Sequence, residues 1–324
     1  MDSKLLSVNA TMQIKGLAII FVILGHLHIV ENAGAWGVAM FLVVSGFGLT
    51  QSYNKNGLNC YFTKKINKIL LPYSLVTVVW LLINYFILDK NYGYLKILLL
   101  VLGLDLKSSI DSTMWYISFI LLWYMVFYIA FKLMKNKITR LTFILIYSIL
   151  FYMFVSKAFS PYVASEHYVF EFPIGVVLGM YCTSINKLIN KCSNLFLAVV
   201  DIGCLIIFVK FMGQYSNIFL NVICMNLIVI VCIITFILFD KYRKKSKVLT
   251  LIGSLSYEIY LFEGVFLWRY KFIFNAFDKK YVQTIVYISF IIILSVFLKI
   301  LVNVINKLLE KKTVNRQIIK EVIS

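Results

Sequence analysis

Lys15 and His26 are eleven residues apart in one apolar run, Lys15-Gly-Leu-Ala-Ile-Ile-Phe-Val-Ile-Leu-Gly-His26. A neutral imidazole accepts a proton near physiological pH, so His26 is a candidate general base; the same nitrogen could also carry an acyl group as a covalent relay. Lysine is a compact point charge that suits phosphate. In a helix, eleven residues make about three turns, roughly 16 Å of rise and about 20° of rotation, so both side chains fall on one face. Lys15 is then expected near a membrane edge and His26 deeper, toward the outer half, with His28 on the opposite side. Ionisable groups inside a bilayer are costly, which makes them functional-site candidates by default. The plain alternatives are a buried histidine bonded to a neighbouring helix and a lysine that only orients the chain.

What must position this pair is a membrane. Of the 324 residues, 61% are hydrophobic and 14% charged, against about 45–50% and about 25% in soluble domains. The expected fold class is therefore all-α: a polytopic transmembrane helical bundle of about ten spans. The spans are expected at about 13–30, 36–51, 69–88, 114–134, 139–157, 168–183, 195–212, 217–239, 249–269 and 282–308. The first apolar run has the length of a signal peptide core, but no small-residue cleavage pattern follows Val30, so it is read as a mature span. Residues 92–104 are apolar but too short to cross, and read as interfacial or re-entrant. The whole of 1–324 reads as one membrane-embedded domain, with a basic amphipathic tail from about 309 lying on the membrane surface.

The net charge of +18 does not lie in one patch, so nucleic acid is not the expected partner. Of the 32 Lys and Arg residues, 22 fall on the N-terminal side of the alternating spans and nine on the other, with Lys299 inside the last span. By the positive-inside rule both termini are cytoplasmic, and an anionic inner leaflet favours the same side. The six cysteines form no C-x-x-C pair and read as small buried hydrophobes. With three histidines, no metal site is expected.

Several stretches together resemble the acyltransferase-3 family of integral membrane acyltransferases. Lys15-x10-His26 is similar to its basic-x10-His signature, with Lys where the family usually has Arg. Gly37-Val-Ala-Met-Phe41-Leu-Val-Val-Ser45-Gly46-Phe47 resembles its Ser-Gly-Phe stretch. Lys65-Ile-Asn-Lys68 before Pro72 resembles its Arg-x-x-Arg run, again with Lys for Arg. Trp115-Tyr116-Ile117, Glu171-Phe-Pro173 through Gly179, and Gly253-Ser-Leu-Ser256-Tyr257-Glu-Ile-Tyr260-Leu261 follow in the family's order. The family often has His after that last run; here Glu263 stands instead, and if that position is catalytic or ligand-binding in relatives its role here is altered.

The resemblance implies catalysis by His26 with Lys15 and Glu263, and acyl-CoA binding by Lys15, Lys65 and Lys68. It implies acetyl-CoA as the donor, a glycan hydroxyl as the acceptor, and a plasma-membrane, cell-envelope setting. Any envelope-side esterase-like partner protein would be a separate chain. Lys65 and Lys68, three apart on a helix, would be neighbours, though a solvated basic loop explains them equally. Ser45 is not a G-x-S-x-G nucleophile, since Val43 replaces the first Gly; Ser45 and Gly46 read as close-packing positions beside the first span. The acids Glu171, Asp201, Glu258 and Glu263 lie within spans and are expected to face the interior, and which of them meets a base stays open. His167 reads as surface, and Trp115 as an interfacial anchor. The rival functions are a proton-coupled transporter or flippase of a glycan or acyl intermediate, and a non-catalytic assembly subunit.

Overall fold

In hydrocarbon every backbone polar group must be satisfied within its own segment, so apolar runs of this length become helices. The computed structural model describes residues 5–158, 165–212, 218–242 and 244–323, and among these the regular elements are all helical. They are α1 (Val8–His26), α2 (Ala33–Asn56), α3 (Tyr61–Lys65), α4 (Leu71–Phe86), α5 (Tyr94–Val101), α6 (Trp115–Leu133), α7 (Lys137–Leu150), α8 (Glu171–Met180), α9 (Cys182–Lys191), α10 (Asn194–Phe211), α11 (Ile218–Lys241), α12 (Lys247–Trp268), α13 (Phe272–Ala276) and α14 (Lys280–Ile323).

Nine helical stretches among the described residues are long and apolar enough to cross a membrane. The sixth expected span is different. It is a bent pair, α8 and α9, meeting at 78°. Counted as one broken span it brings the total to ten. The reason lies in composition: after Met180 the chain turns polar, and Thr183, Ser184, Lys187, Asn190 and Lys191 are all exposed. The expected 168–183 is thus a ten-residue buried helix followed by a second helix at a steep angle. The 92–104 segment is the short helix α5, as its length required. The helix of α14 continues through the basic tail to Ile323.

The first span also differs from 13–30 at both ends. Ser7 caps α1 by accepting a hydrogen bond from the Ala10 N–H, so the helix starts at Val8. It stops at His26, where the Leu27 N–H turns back to the carbonyls of Ile23 and Gly25. His28 and Asn32 then take left-handed backbone angles, φ 53° and 59°, which are uncommon for residues with a Cβ.

The chain divides into two compact units: unit 1 is Met1–Asn59, Leu106–Ser108 and Met114–Ser256, and unit 2 is Cys60–Asp105, Ser109–Thr113 and Tyr257–Ser324. Unit 1 is held by close helix approaches at small residues, the usual means of packing helices where lipid is as apolar as leucine. Gly25 of α1 rests on the Gly34 backbone of α2, and Gly37 of α2 on Ala18 and Val22 of α1. Gly46 of α2 and Gly175 of α8 each lie on the other helix's backbone, and Gly179 lies on Thr50. Gly46 therefore packs beside α8, not beside the first span as expected. Gly16 of α1 meets Leu249 and Gly253 of α12. Around Trp123 of α6, fully buried, the rings of Phe119, Tyr147, Phe151 and Phe172 collect at centroid distances of 5.2–6.5 Å.

In unit 2, α4 and the second half of α12 are linked along their length. The Tyr257 hydroxyl donates to the Ile69 carbonyl (2.8 Å), Trp80 meets Phe262 and Phe266, and Arg269 donates to Asn84 (2.7 Å). Of the cysteines, Cys182, Cys224 and Cys232 are buried, while Cys60 is exposed, and the described ones are free thiols. The reading as buried hydrophobes holds for those three and fails for Cys60.

Candidate active site

α1 is unbroken from Lys15 to His26, so the two share a face about 16 Å apart along the axis. Lys15 stands well inside the helix, with a full turn and more before it, and His26 is its last residue. Both side chains are half-buried and both are engaged with neighbours. Gly34 lies beside the imidazole, where a Cβ would make an ordinary van der Waals contact with His26 Cδ2 at 4.0 Å. His28 lies outside the helix in the left-handed turn and is exposed, so it does not occupy the opposite helix face as expected.

Unit 1 holds further polar groups. The Ser45 hydroxyl is shared with the phenols of Tyr116 and Tyr124 of α6. This gives the Ser-Gly-Phe stretch a hydrogen-bonding role as well as a packing one. Glu171 opens α8, where the helix dipole favours an acid, and is fully buried. Neither carboxyl oxygen makes a full hydrogen bond to a described residue; the amides of its own first turn and the Asn226 side chain surround it. Asp201 accepts from the Thr235 hydroxyl (2.8 Å). Trp115 is half-buried against Tyr168 (5.6 Å) and Phe119 (5.6 Å), part of an aromatic cluster rather than a lone anchor.

Lys65 and Lys68 lie in unit 2, in the stretch that leads into α4. Lys65 ends α3, its Nζ 5.7 Å from the Tyr61 ring centroid, and Lys68 is exposed. The residues between α3 and α4, Ile66–Leu70, form one π turn. Pro72 offers no N–H to the carbonyls of the preceding turn, and the chain widens there. The expected i, i+3 adjacency of the two lysines therefore does not hold as in a regular α-helix. Single π turns recur at functional sites, and Tyr257, from the Gly-x-x-Ser-Tyr stretch, secures this one through Ile69.

Glu263 is also in unit 2 and fully buried. The Tyr287 hydroxyl of α14 donates to its carbonyl (2.8 Å), and the carboxylates of Glu263 and Asp111 are the charged neighbours of Tyr287. Asp111 belongs to a feature that the sequence reading missed, the polar stretch Asp105-Leu-Lys-Ser-Ser-Ile-Asp-Ser-Thr113. Its Asp105, Ser108, Asp111 and Thr113 are buried. Asp105 is bound by Lys96 (2.6 Å) and by the Ser109 N–H (2.7 Å). Burial alone would raise the Asp105 carboxyl, but those partners hold it below the usual carboxylate range. Asp111 takes both the N–H and the hydroxyl of Thr113. Tyr260 donates to the Thr113 carbonyl, Gly264 leaves room for the Thr113 side chain, and Arg269 donates to the Ile110 carbonyl (2.6 Å). Tyr257, Tyr260 and Gly264 recur at helical spacing, so one face of α12 grips both the π turn and this loop. A polar run between a short apolar helix and a long one was the available signal.

The expected site residues are thus carried on both units: Lys15 and His26 on unit 1, Lys65, Lys68 and Glu263 on unit 2. On unit 1 the half-buried imidazole of His26 is suited to moving a proton; on unit 2 Lys65 and Lys68 are suited to attracting a phosphorylated group. The family model described as an acyltransferase domain, the acyltransferase-3 family, matches residues 12–304. The chain belongs to that family and is a multi-pass membrane acyltransferase. No curated protein and no solved structure matches it.

Proposed function

We propose that the chain is a plasma-membrane O-acyltransferase. It takes acetyl from cytosolic acetyl-CoA and places it on a hydroxyl of an exported glycan or its lipid-linked precursor. The observation that carries this reading is the unbroken helix that sets Lys15 and His26 on one face, in a chain of the acyltransferase-3 family. The lysine-rich ends of the helices face the cytosol on this reading, termini included. Lys65, Lys68 and Lys15 attract the donor's phosphates. His26 takes the proton as the acceptor oxygen attacks the thioester carbon; the tetrahedral intermediate collapses, the C–S bond breaks and the thiolate of coenzyme A leaves and is protonated. Glu263 orients or relays the proton. A separate envelope-side protein completes transfer where the acceptor lies beyond the membrane.

The test is transfer of radiolabel from acetyl-CoA to envelope glycan in membranes holding native protein or His26→Ala at equal amounts. Loss of a general base lowers the rate by about 10²–10⁴-fold. Equal labelling in both removes His26 from the mechanism. The 78° bend between α8 and α9 is the observation that favours transport instead. His26→Ala would then block glycan export, whereas an acyltransferase still exports unacylated glycan.

A further inference from the structure

The end of unit 2 away from Lys65 and Lys68 holds a second basic group. Arg269 follows α12 directly, and its two terminal nitrogens donate to the Ile110 carbonyl and to Asn84 Oδ1. Tyr270 reaches the same Asn84 oxygen (3.3 Å), and its ring lies 5.4 Å from Trp80. Trp80 and Asn84 are four apart on α4 and share a face. Among the described residues no carboxylate pairs with Arg269, while Lys96 pairs with Asp105. Three N–H donors in this one cluster have no acceptor among the described residues: Arg269 Nε, Asn84 Nδ2 and Trp80 Nε1. Asn84 is 0% exposed and Trp80 5%.

A buried donor without an acceptor is unfavourable, and a guanidinium partly out of water calls for an anion. Water can accept hydrogen bonds here but cannot offset the charge. A tetrahedral phosphoryl group brings several oxygens in different directions, and arginine's planar fork matches it. The flanking part of α4 is lipid-facing in character: Leu82, Tyr85, Phe86 and Ile87 are exposed. We propose that Trp80, Asn84, Arg269 and Tyr270 form a subsite for the phosphoryl group of a membrane lipid, either a polyprenyl-phosphate carrier or a phospholipid headgroup. That a carrier bound here also presents the acceptor glycan rests on the acyltransferase reading above; the binding itself does not.

The experiment is native mass spectrometry of the full-length protein in neutral detergent, titrated with a polyprenyl monophosphate or with phosphatidylglycerol, each with and without competing inorganic phosphate. Melting temperature is recorded on the same samples. The informative variant is Asn84→Asp, which keeps the Oδ1 contact to Arg269 while supplying an internal carboxylate. It is expected to melt no lower than native and to bind the lipid about tenfold more weakly or worse, the scale of one lost charge-assisted contact. Arg269→Gln should show the same loss of binding. Binding of the polyprenyl phosphate alone supports the subsite and assigns it to a carrier; binding of both lipids supports it as a headgroup site; competition by inorganic phosphate supports the phosphoryl chemistry. Equal binding by native protein and Asn84→Asp overturns the proposal, and so does the absence of binding to either lipid. Acyl transfer is not part of the readout, so failure of the acetyl-CoA experiment and failure here are separate results.

Discussion

Gly253→Ala places one methyl group where α12 crosses α1, the helix that carries Lys15 and His26. That methyl would stand 2.8 Å from the Met12 carbonyl carbon and 2.9 Å from the Gly16 nitrogen, and closer still to the Met12 oxygen. Non-bonded atoms prefer separations of about 3.5 Å, and the Met12 oxygen is the nearest obstacle, so α1 must shift by more than about 1 Å. The atoms in the way are backbone and cannot rotate aside. Overpacking of this kind costs about 1–3 kcal/mol, and a misplacement near 1 Å lowers rate by about 10²-fold. The expected outcome is a lower melting temperature and a large fall in acyl transfer, with acetyl-CoA binding at the Lys65 rim much less affected. Gly203→Ala is the control, because a Cβ there meets nothing within 4 Å. If Gly253→Ala keeps native melting and activity, the two helices are not in contact as described, and the placement of α1 is wrong.

Two other perturbations test the basic rim and the buried loop. Replacing both Lys65 and Lys68 by Gln should raise the KM for acetyl-CoA by about tenfold with a smaller change in kcat, and should flatten the dependence of KM on salt because exposed charges are screened; a fall in kcat alone would contradict a binding role. Asp105→Asn should destabilise the protein at neutral pH. Because the native carboxyl is held below its unfolded value of about 3.9, its contribution is complete above that pH and lost as pH falls through the folded value. The gap in melting temperature between native and variant should therefore close on acidification below about pH 4, and a gap that is constant or widens would refute the Lys96–Asp105 account.

The spans were legible because lipid imposes a length and forbids open backbone, and those two constraints show directly in composition. Where the sequence misled, local chemistry had no visible marker. Leu27, His28, Ile29 and Val30 continue the apolar run, yet the helix ends at His26 because the backbone turns left-handed at His28 and Asn32, with no Gly or Pro to announce it. Pro72 was visible, but the π turn before it depends on the Tyr257 hydroxyl reaching Ile69, 188 positions away in sequence. The glycines of the family-like stretches carried more than they revealed. Gly37, Gly46, Gly175 and Gly253 each mark a helix crossing whose partner only the fold identifies.

The stretch from Asp105 to Thr113 shows why the rest of the site could not be read. Irregular backbone beside membrane helices persists only where protein or enclosed water satisfies it. Here local contacts, Ser109 to Asp105 and Thr113 to Asp111, are joined by Lys96 of the preceding helix and by the distant Tyr260 and Arg269, which reach the Thr113 and Ile110 carbonyls. A polar loop would be cheaper left at the surface, where water satisfies it without help. Holding it inside buries Asp111, and Glu263 of α12 is buried in the same unit, two acids that would lower the stability of an apolar core. A fold selected for stability alone would replace them with packed apolar side chains. Asp111 and Glu263 instead flank the Tyr287 hydroxyl, so unit 2 carries buried polar groups in and beside the loop as well as the lysines that the sequence displayed.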